Sequence, residues 1–428
     1  MKQKLLKILY NFLALCARIS LSRHKIQVIA ITGSVGKTSC RMIVAEVLKQ
    51  LNSEKIIYTS PKNYNSELGL VFSIFQIEDY HPSTKNLLKL SGKIFCKALF
   101  GVKNMDILVA EYGIDSPWDM EHLLKVAVPD IAVLTKLDAV HSANFPLWVD
   151  EYWQEKWKLL LAAKKKVYLN LEDEFSKNHI ELLKDYKEIF SRHKLRVELK
   201  KDQEDIARWG FNYLEIEISH NLLGEENNYY VMLWIDIAMD IGLEFREKKY
   251  DFHLTLQPWR FTLFSYKEHI LIDGSYNAAP ESVKQVIVNT VLLQKKLFSD
   301  YGFVAVFGDM RELAYPQQAH ENIVSEISFF DAIFTVGPYM YAYIIPKLKE
   351  IGFTGTLSSS LSSRDIGIKL KNFLDVSSQK YLVVFKGSQN TIFTEEALAV
   401  LLSPENQKKL PRQSEAWKVR KEEFFSEL

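Results

Sequence analysis

The chain has 428 residues, 47% of them hydrophobic, and a formal net charge of +1. That length predicts two or three domains, and that hydrophobic content predicts real cores rather than a disordered chain. The charge leaves no electrostatic footprint for nucleic acid, which excludes a nucleic-acid partner, and three widely spaced cysteines (Cys16, Cys40, Cys96) make neither a disulfide framework nor a metal cluster.

Residues 1–25 are predicted to form an N-terminal amphipathic helix. Leu5, Ile8, Leu9, Phe12, Cys16 and Ile19 fall on one helical face. Asn11 and Arg18 interrupt the apolar run, which is too short to span a bilayer, and no small-residue cleavage site follows it. Two readings stand. The helix packs on the next domain, or it lies at an interface, since Lys2, Lys4, Lys7, Arg18, Arg23 and Lys25 suit anionic lipid. The second reading expects a weak membrane-surface contact through residues 4–20. The protein is then cytoplasmic and peripheral at the inner membrane face.

Apolar runs at 28–32, 106–113, 130–135 and 166–170 read as buried strands. Between Cys40 and Leu51 the apolar positions follow a helical period. Strands alternating with helices argue for a largely parallel sheet covered on both faces. Past residue 250 a hairpin is expected to turn at Lys267–Glu268, a helix to follow Pro280, and buried strands to recur at 303–309, 332–337 and 381–388. This second α/β unit puts a boundary near residue 252, giving segments 26–252 and 253–428. The serine-rich stretch 356–365 is expected to be a loop.

The segment "TGSVGKTS" carries the first chemistry. Gly33 and Gly36 let the backbone of Ser34 and Val35 approach phosphate oxygens, and the N–H groups opening the next helix, Ser39 included, favour an anion. Lys37 reaches terminal phosphates, and the Thr38 hydroxyl suits Mg²⁺. Two residues separate the glycines where the common phosphate-loop pattern has four, and Ile31 stands at the distant glycine position. Glu111 ends the strand "DILVAEYG", where a carboxylate can share that Mg²⁺. His141 lies past the next strand end and is a second candidate metal ligand.

In this order and spacing the three features resemble the Mur ligase family of ATP-dependent amide-bond ligases. Further stretches agree with the subgroup that adds D-alanyl-D-alanine in peptidoglycan synthesis: "NYNSELG" (63–69), "EYGIDSPWDMEHLLKVAVPDIAVLT", "LQPWRF", "LIDGSYNAAPESV", "VFGDMREL", His320 and "FKGSQN". The resemblance runs from about residue 26 to the C-terminus. It implies an α/β fold: a P-loop-type parallel-sheet ATPase domain followed by a smaller Rossmann-like α/β domain. It also implies ATP and Mg²⁺, a small-molecule carboxylate substrate and a dipeptide-like amine. The carboxylate attacks the γ-phosphate to give an acyl phosphate, which the amine then attacks with loss of phosphate.

The resemblance further implies roles for individual residues. Lys156 aligns with a lysine that many members carbamylate for metal binding; an ordinary exposed helix lysine is the alternative, and Lys158 is its neighbouring competitor. Arg260 matches the arginine at the domain junction and is a candidate for a phosphate contact and for catalysis, with Lys37, His141 and Lys156. Asn227 or Asn228 matches the adenine-contacting asparagine. Asp273, Tyr276 and Asn277 line the nucleotide or the substrate cleft, unless they serve turn chemistry alone. Asn63, Asn65 and Ser66 face the carboxylate substrate. Lys386 and Ser388 face the amine, with structural capping the other account of Ser388.

The departures are Lys136 in place of an asparagine, Gly274 in place of an aspartate and Ala279 in place of an asparagine. Only about thirty residues precede the phosphate loop, so the subgroup's uridine-nucleotide-recognising domain is expected to be missing. The two remaining domains would then grip only the peptide end, a partner protein would supply the missing surface, or a membrane would present the substrate. A different carboxylate and amine pair, or a catalytically weak ATP-binding scaffold, are the alternative functions.

Overall fold

Five short parallel strands form the first sheet. They are β1 (Gln27–Thr32), β2 (Ile57–Tyr58), β3 (Ile107–Glu111), β4 (Ile131–Leu134) and β5 (Lys166–Leu169), in the order β2-β3-β1-β4-β5. The computed structural model describes the chain apart from residues 1, 52–53, 63, 78–83, 138–148, 171–173, 184–197, 203–205, 244–246, 255–260, 312, 314 and 389–390. β1, β3 and β4 are near-continuous apolar runs because a central parallel strand is covered on both faces. Their register sets Ile31 beside both Glu111 and Val133, so β1, β3 and β4 end at one level.

The helices follow the apolar periodicity. α1 (Lys2–Arg23) opens the chain; α2 (Lys37–Leu51) starts directly on the phosphate loop and buries Cys40, Ile43, Val44, Val47 and Leu48. α3 (Glu67–Phe75), α4 (Thr84–Phe100), α5 (Asp119–Val126), α6 (Val149–Ala162) and α7 (Glu174–His179) come next, and α8 (Glu225–Asp240) after them. α1 packs on α3, α4 and α5. Its buried residues include Leu9, Leu13, Cys16, Ala17 and Leu21, while Ile8 is 66% exposed. The packed face is thus rotated from the stripe read in the sequence, because Leu13, Ala17 and Leu21 extend it on the other side. Among the described residues no helix is long and apolar enough to cross a membrane.

The chain divides into two compact units, the first holding residues 1–195, 213–216 and 226–254, the second 196–212, 217–225 and 255–428. Residues 196–212 and 217–225 thus join the second unit although they precede residue 226 in the chain. There β6 (Glu198–Asp202) and β7 (Ile206–Tyr213) pair antiparallel, and Leu199, Ala207 and Trp209 enter the second unit's core with Ile272 and Val283. β8 (Ile216–His220) and β9 (Lys249–Phe252) complete the strands ahead of residue 255.

The second unit's main sheet contains β10 (Thr262–Tyr266), β11 (His269–Asp273), β12 (Gly302–Gly308), β13 (Ala332–Val336), β14 (Thr356–Ser360) and β15 (Tyr381–Lys386). The order is β10-β11-β15-β12-β13-β14. Only β10 and β11 pair antiparallel, as the hairpin read at Lys267–Glu268, with Lys267 left-handed at φ 51°. α9 (Pro280–Leu297) begins at the expected proline. The serine-rich stretch is not a loop: it forms β14 and then a helix over Ser363–Val376 whose first turn Ser362 caps. An edge strand tolerates this polar sequence because only β13 pairs with it, and the hydroxyl of Thr335 donates to that of Ser359.

Candidate functional site

The phosphate loop is built by backbone geometry that only glycine supplies at little cost. Gly33 has φ 145° and Gly36 φ 85°. A Cβ at Gly33 would strike the Thr135 hydroxyl, and one at Gly36 the Tyr230 hydroxyl. The loop is tied to the end of β4: Ser34 N–H donates to the Lys136 carbonyl at 2.7 Å, and the Thr135 hydroxyl donates to the Val35 carbonyl at 2.6 Å. Lys136, where the resemblance expected asparagine, therefore serves the loop through its backbone.

Lys37 folds over this loop, its ammonium donating to the carbonyls of Gly33 at 2.8 Å and Ser34 at 3.1 Å. One residue on, the buried Thr38 hydroxyl donates to Glu111 Oε2 at 3.0 Å, across from β3. Arg41, one turn further along α2, brings Nε to 3.7 Å from the same oxygen and donates through Nη1 to the Ser60 carbonyl at 2.6 Å. Arg41, Ser60, Lys62, Tyr64, Ser73 and Glu111 line a small cleft beside β3. The structure thus joins Lys37, Thr38 and Glu111 at the carboxyl edge of a parallel sheet, where α/β proteins hold ligands. Two hard oxygen donors 3.0 Å apart fit a Mg²⁺ ion.

Lys156 settles one sequence alternative. It is 1% exposed on α6, with Nζ 4.3 Å from the centre of the Tyr152 ring. Burial pushes its ammonium well below the usual lysine range, and the positive charge of Lys37 pushes further; Asp115 and Glu111 oppose the shift. Lys158 is different: it is partly exposed and paired with Glu155 at 2.6 Å and Glu121 at 3.1 Å. Only Lys156 of the two is a buried amine beside the phosphate loop. It is not the exposed helix lysine of the bland reading.

Asn65 accepts the Gly113 N–H through its backbone carbonyl at 2.9 Å, which puts it beside the chain leaving β3. Ser66 caps α3, its hydroxyl accepting from Gly69 N–H at 3.3 Å. Asn227 and Asn228 are both buried in the first turn of α8. Asn63, His141 and Arg260 lie outside the described residues.

In the second unit the strand ends gather another cluster. Asp273, at the end of β11, is fully buried; its Oδ1 accepts from the N–H and hydroxyl of Ser275 at 2.9 and 2.6 Å. Burial raises its pKa to about 6, against the hydrogen bonds from Ser275. Tyr276 and Asn277 follow half-buried, and the Asn277 side chain accepts the Ala278 N–H at 2.9 Å. Ser388 is buried: it accepts the Arg311 N–H at 2.9 Å and donates to the Ala278 carbonyl at 3.2 Å, tying the loops after β11, β12 and β15 together. Lys386 is half-buried at the end of β15. His320 accepts the Met310 N–H at Nε2 and meets the Pro316 carbonyl at Nδ1, and burial lowers its pKa.

Sequence reasoning missed Arg41, Thr135, Tyr152 and Tyr230. Arg41 and Tyr152 carried a signal, since each stands four residues from a lysine already singled out on the same helix, Lys37 or Lys156. Tyr230 carried none, being almost two hundred residues from the loop it abuts.

A glycine-bent loop between a buried parallel strand and a helix, with lysine, threonine and a strand-end carboxylate converging on it, defines a P-loop-type nucleotide-binding α/β module. Residues 31–237 match the Mur ligase middle domain. A UDP-N-acetylmuramoyl-L-alanyl-D-glutamate–2,6-diaminopimelate ligase of Fusobacterium nucleatum is 25% identical over 67% of this chain. The match spans 56% of that protein, little over half its length. A UDP-N-acetylmuramoyl-tripeptide–D-alanyl-D-alanine ligase of Rickettsia prowazekii is 23% identical, covering 91% of this chain and 81% of its own. The crystal structure of the MurF ligase from Thermotoga maritima in complex with ADP superposes with a TM-score of 0.68 at 20% identity, over 95% of this chain and 85% of that one. The fold is that of the Mur ligases.

Proposed function

We propose that the chain is an ATP-dependent carbon–nitrogen ligase of the peptidoglycan-precursor type. It activates a substrate carboxylate as an acyl phosphate and joins it to the amine of a D-alanyl-D-alanine-like dipeptide. The observation that carries this reading is the Thr38–Glu111 pair beside the Lys37 loop, at the carboxyl edge of the parallel sheet. ATP and Mg²⁺ are the groups this donor set suits, and the cytoplasm is the proposed compartment.

Each step develops negative charge on oxygens, so positioned cations and N–H donors supply most of the stabilisation. A carboxylate oxygen attacks the γ-phosphorus and ADP leaves; the amine nitrogen then attacks the acyl carbon and phosphate leaves. Lys37 neutralises the terminal phosphates, and the N–H groups from Gly33 to Ser39 hold the remaining oxygens. Thr38 and Glu111 would hold the ion, with His141 assigned as a further ligand. Mg²⁺ would supply charge neutralisation at the transferring phosphoryl group.

Lys156 is proposed to be carbamylated. Its neutral Nζ attacks the carbon of CO₂, a C–N bond forms, and one proton leaves to solvent. The resulting anion faces the positive charge of Lys37, where an ammonium is disfavoured. Arg260, Asn227 and Asn228 are assigned to the nucleotide. Asn63, Asn65 and Ser66 are assigned to the carboxylate substrate, and Lys386 and Ser388 to the amine.

The test is phosphate release from ATP with UDP-N-acetylmuramoyl-tripeptide and D-alanyl-D-alanine, each alone and together, with product masses recorded. Release that needs both, with a product of the summed mass less water, is expected. Release independent of either substrate, or none with a panel of carboxylates and amines, would overturn the reading.

A further inference from the structure

The segment "LPRQSEAWKVRKEEFFSEL" (410–428) ends the chain without matching any motif used above. It is nonetheless bound deeply into the second unit. Arg412, left-handed at φ 58°, is almost fully buried. Its guanidinium forms a fork on the completely buried Glu395, Nε to Oε1 at 2.6 Å and Nη2 to Oε2 at 2.5 Å. The other face of the same guanidinium donates to two backbone carbonyls, Nη2 to Ser275 and Nη1 to Tyr276, both at 3.1 Å. Lys421, also buried, closes the arrangement at 3.0 Å from Glu395 and 2.8 Å from Glu396. Phe393 packs edge-on to Trp417 and Phe424, so the terminal helix Glu415–Ser426 is fixed by apolar contacts as well.

Burying three charges is costly unless every one is met with good geometry. Stability alone does not call for this solution, since packed apolar residues serve it as well. What the charged solution adds is direction. A planar guanidinium held by a carboxylate on one side presents its remaining N–H groups at fixed angles on the other. Those groups meet the two carbonyls at the centre of the loop after β11. The same loop is tied through Ala278 to Ser388, on the side of the unit assigned above to the amine.

We propose that Arg412 is a positioning residue of the ligase reaction, and that the 410–428 segment is a clamp setting the loop Asp273–Ala279 for the amine substrate. This rests on the function proposed above. Arg412 touches no substrate; it acts through the Ser275 and Tyr276 carbonyls on where Tyr276 and Asn277 stand.

The experiment uses the full chain with Arg412→Lys and Arg412→Gln. Glu395 keeps Lys421 in either variant, so its charge is not orphaned, and should the glutamine variant fail to fold the lysine variant decides. Hydrogen exchange without ligand is expected to accelerate at least tenfold in 274–279 and to stay within twofold in the central strand 302–308. In the coupled assay the KM for D-alanyl-D-alanine is expected to rise at least tenfold, with the KM for ATP and kcat within threefold. A KM for the dipeptide within twofold of the parent, or an ATP KM raised equally, overturns the proposal. Exchange that accelerates throughout the unit overturns it too, since the clamp is then only a brace. A parent enzyme that forms no amide with any substrate pair overturns the ligase reading and, with it, the role in amine binding; accelerated exchange confined to 274–279 would still assign the loop clamp.

Discussion

Thr38 and Glu111 meet at 3.0 Å although 73 residues separate them, one at the start of α2 and the other at the end of β3. The register of β1 against β3 brings them together: Ile31 lies opposite Glu111, so the loop leaving β1 and the end of β3 reach the same level. Substituting either side chain removes an oxygen from a two-donor site.

Lys37→Ala is expected to abolish ATP turnover, by at least a hundredfold in kcat, while the thermal midpoint stays within a few degrees of the parent. The ammonium donates to the loop carbonyls of Gly33 and Ser34 and is not among the core residues, so its loss opens no cavity in the core. Phosphate release from Mg–ATP in the coupled assay and a thermal melt check both halves.

Lys156 gives a prediction with a definite sign. The folded protein holds this proton more weakly than the unfolded chain, so the residue's contribution to stability rises with pH, from its lowered pKa up to the usual 10.5. Lys156→Met is expected to be more stable than the parent at neutral pH, to lose that rise, and to be inactive. Lys156→Ala is expected to regain part of its activity with millimolar acetate or propionate, which return the missing carboxylate oxygens. A carbamate resonance in the parent after ¹³C-bicarbonate, absent from both variants, checks the modification directly.

Asp273 works in the opposite direction. Its pKa rises from the usual 3.8 to about 6, so the folded state holds the proton more tightly. Stability from this group is full below about pH 4 and is lost as pH rises through about 6, a difference on the order of 3 kcal/mol. Asp273→Asn keeps an acceptor for Ser275 and is expected to remove this dependence. Its melting temperature should exceed the parent's at pH 8 and match it near pH 4, as read by calorimetry across that range.

Leu13 is fully buried on α1, and Ala17 beside it as well. Leu13→Ala is expected to cost about 2–5 kcal/mol, the usual range for a core leucine. Urea denaturation measures it. Vesicle co-sedimentation of the parent should show no loss to anionic lipid, because Leu9, Leu13, Cys16, Ala17 and Leu21 are already buried on a helix packed on α3, α4 and α5 and leave only scattered apolar residues such as Ile8 exposed.

Sequence alone determined the features that depend on near neighbours. The strand, glycine loop and helix from Gln27 to Leu51 were legible because apolar runs, glycine spacing and helical period are all local signals. Glu111 was legible because it ends a buried run, and Lys267–Glu268 because the hairpin around it is short. Tertiary structure alone decided matters that depend on burial and distant register. Lys156 looked equally like an exposed helix lysine until packing enclosed it, and a periodicity cannot state which helix face will be covered. For the same reason α1 turned a different stripe to the core from the one expected. The serine-rich β14 was unreadable because an edge strand takes its backbone partners from β13 rather than from its own side chains. Arg412 left no trace at all: its partners, Glu395 and the carbonyls of Ser275 and Tyr276, lie up to 137 residues away, and no local pattern marks a backbone oxygen as needing a donor.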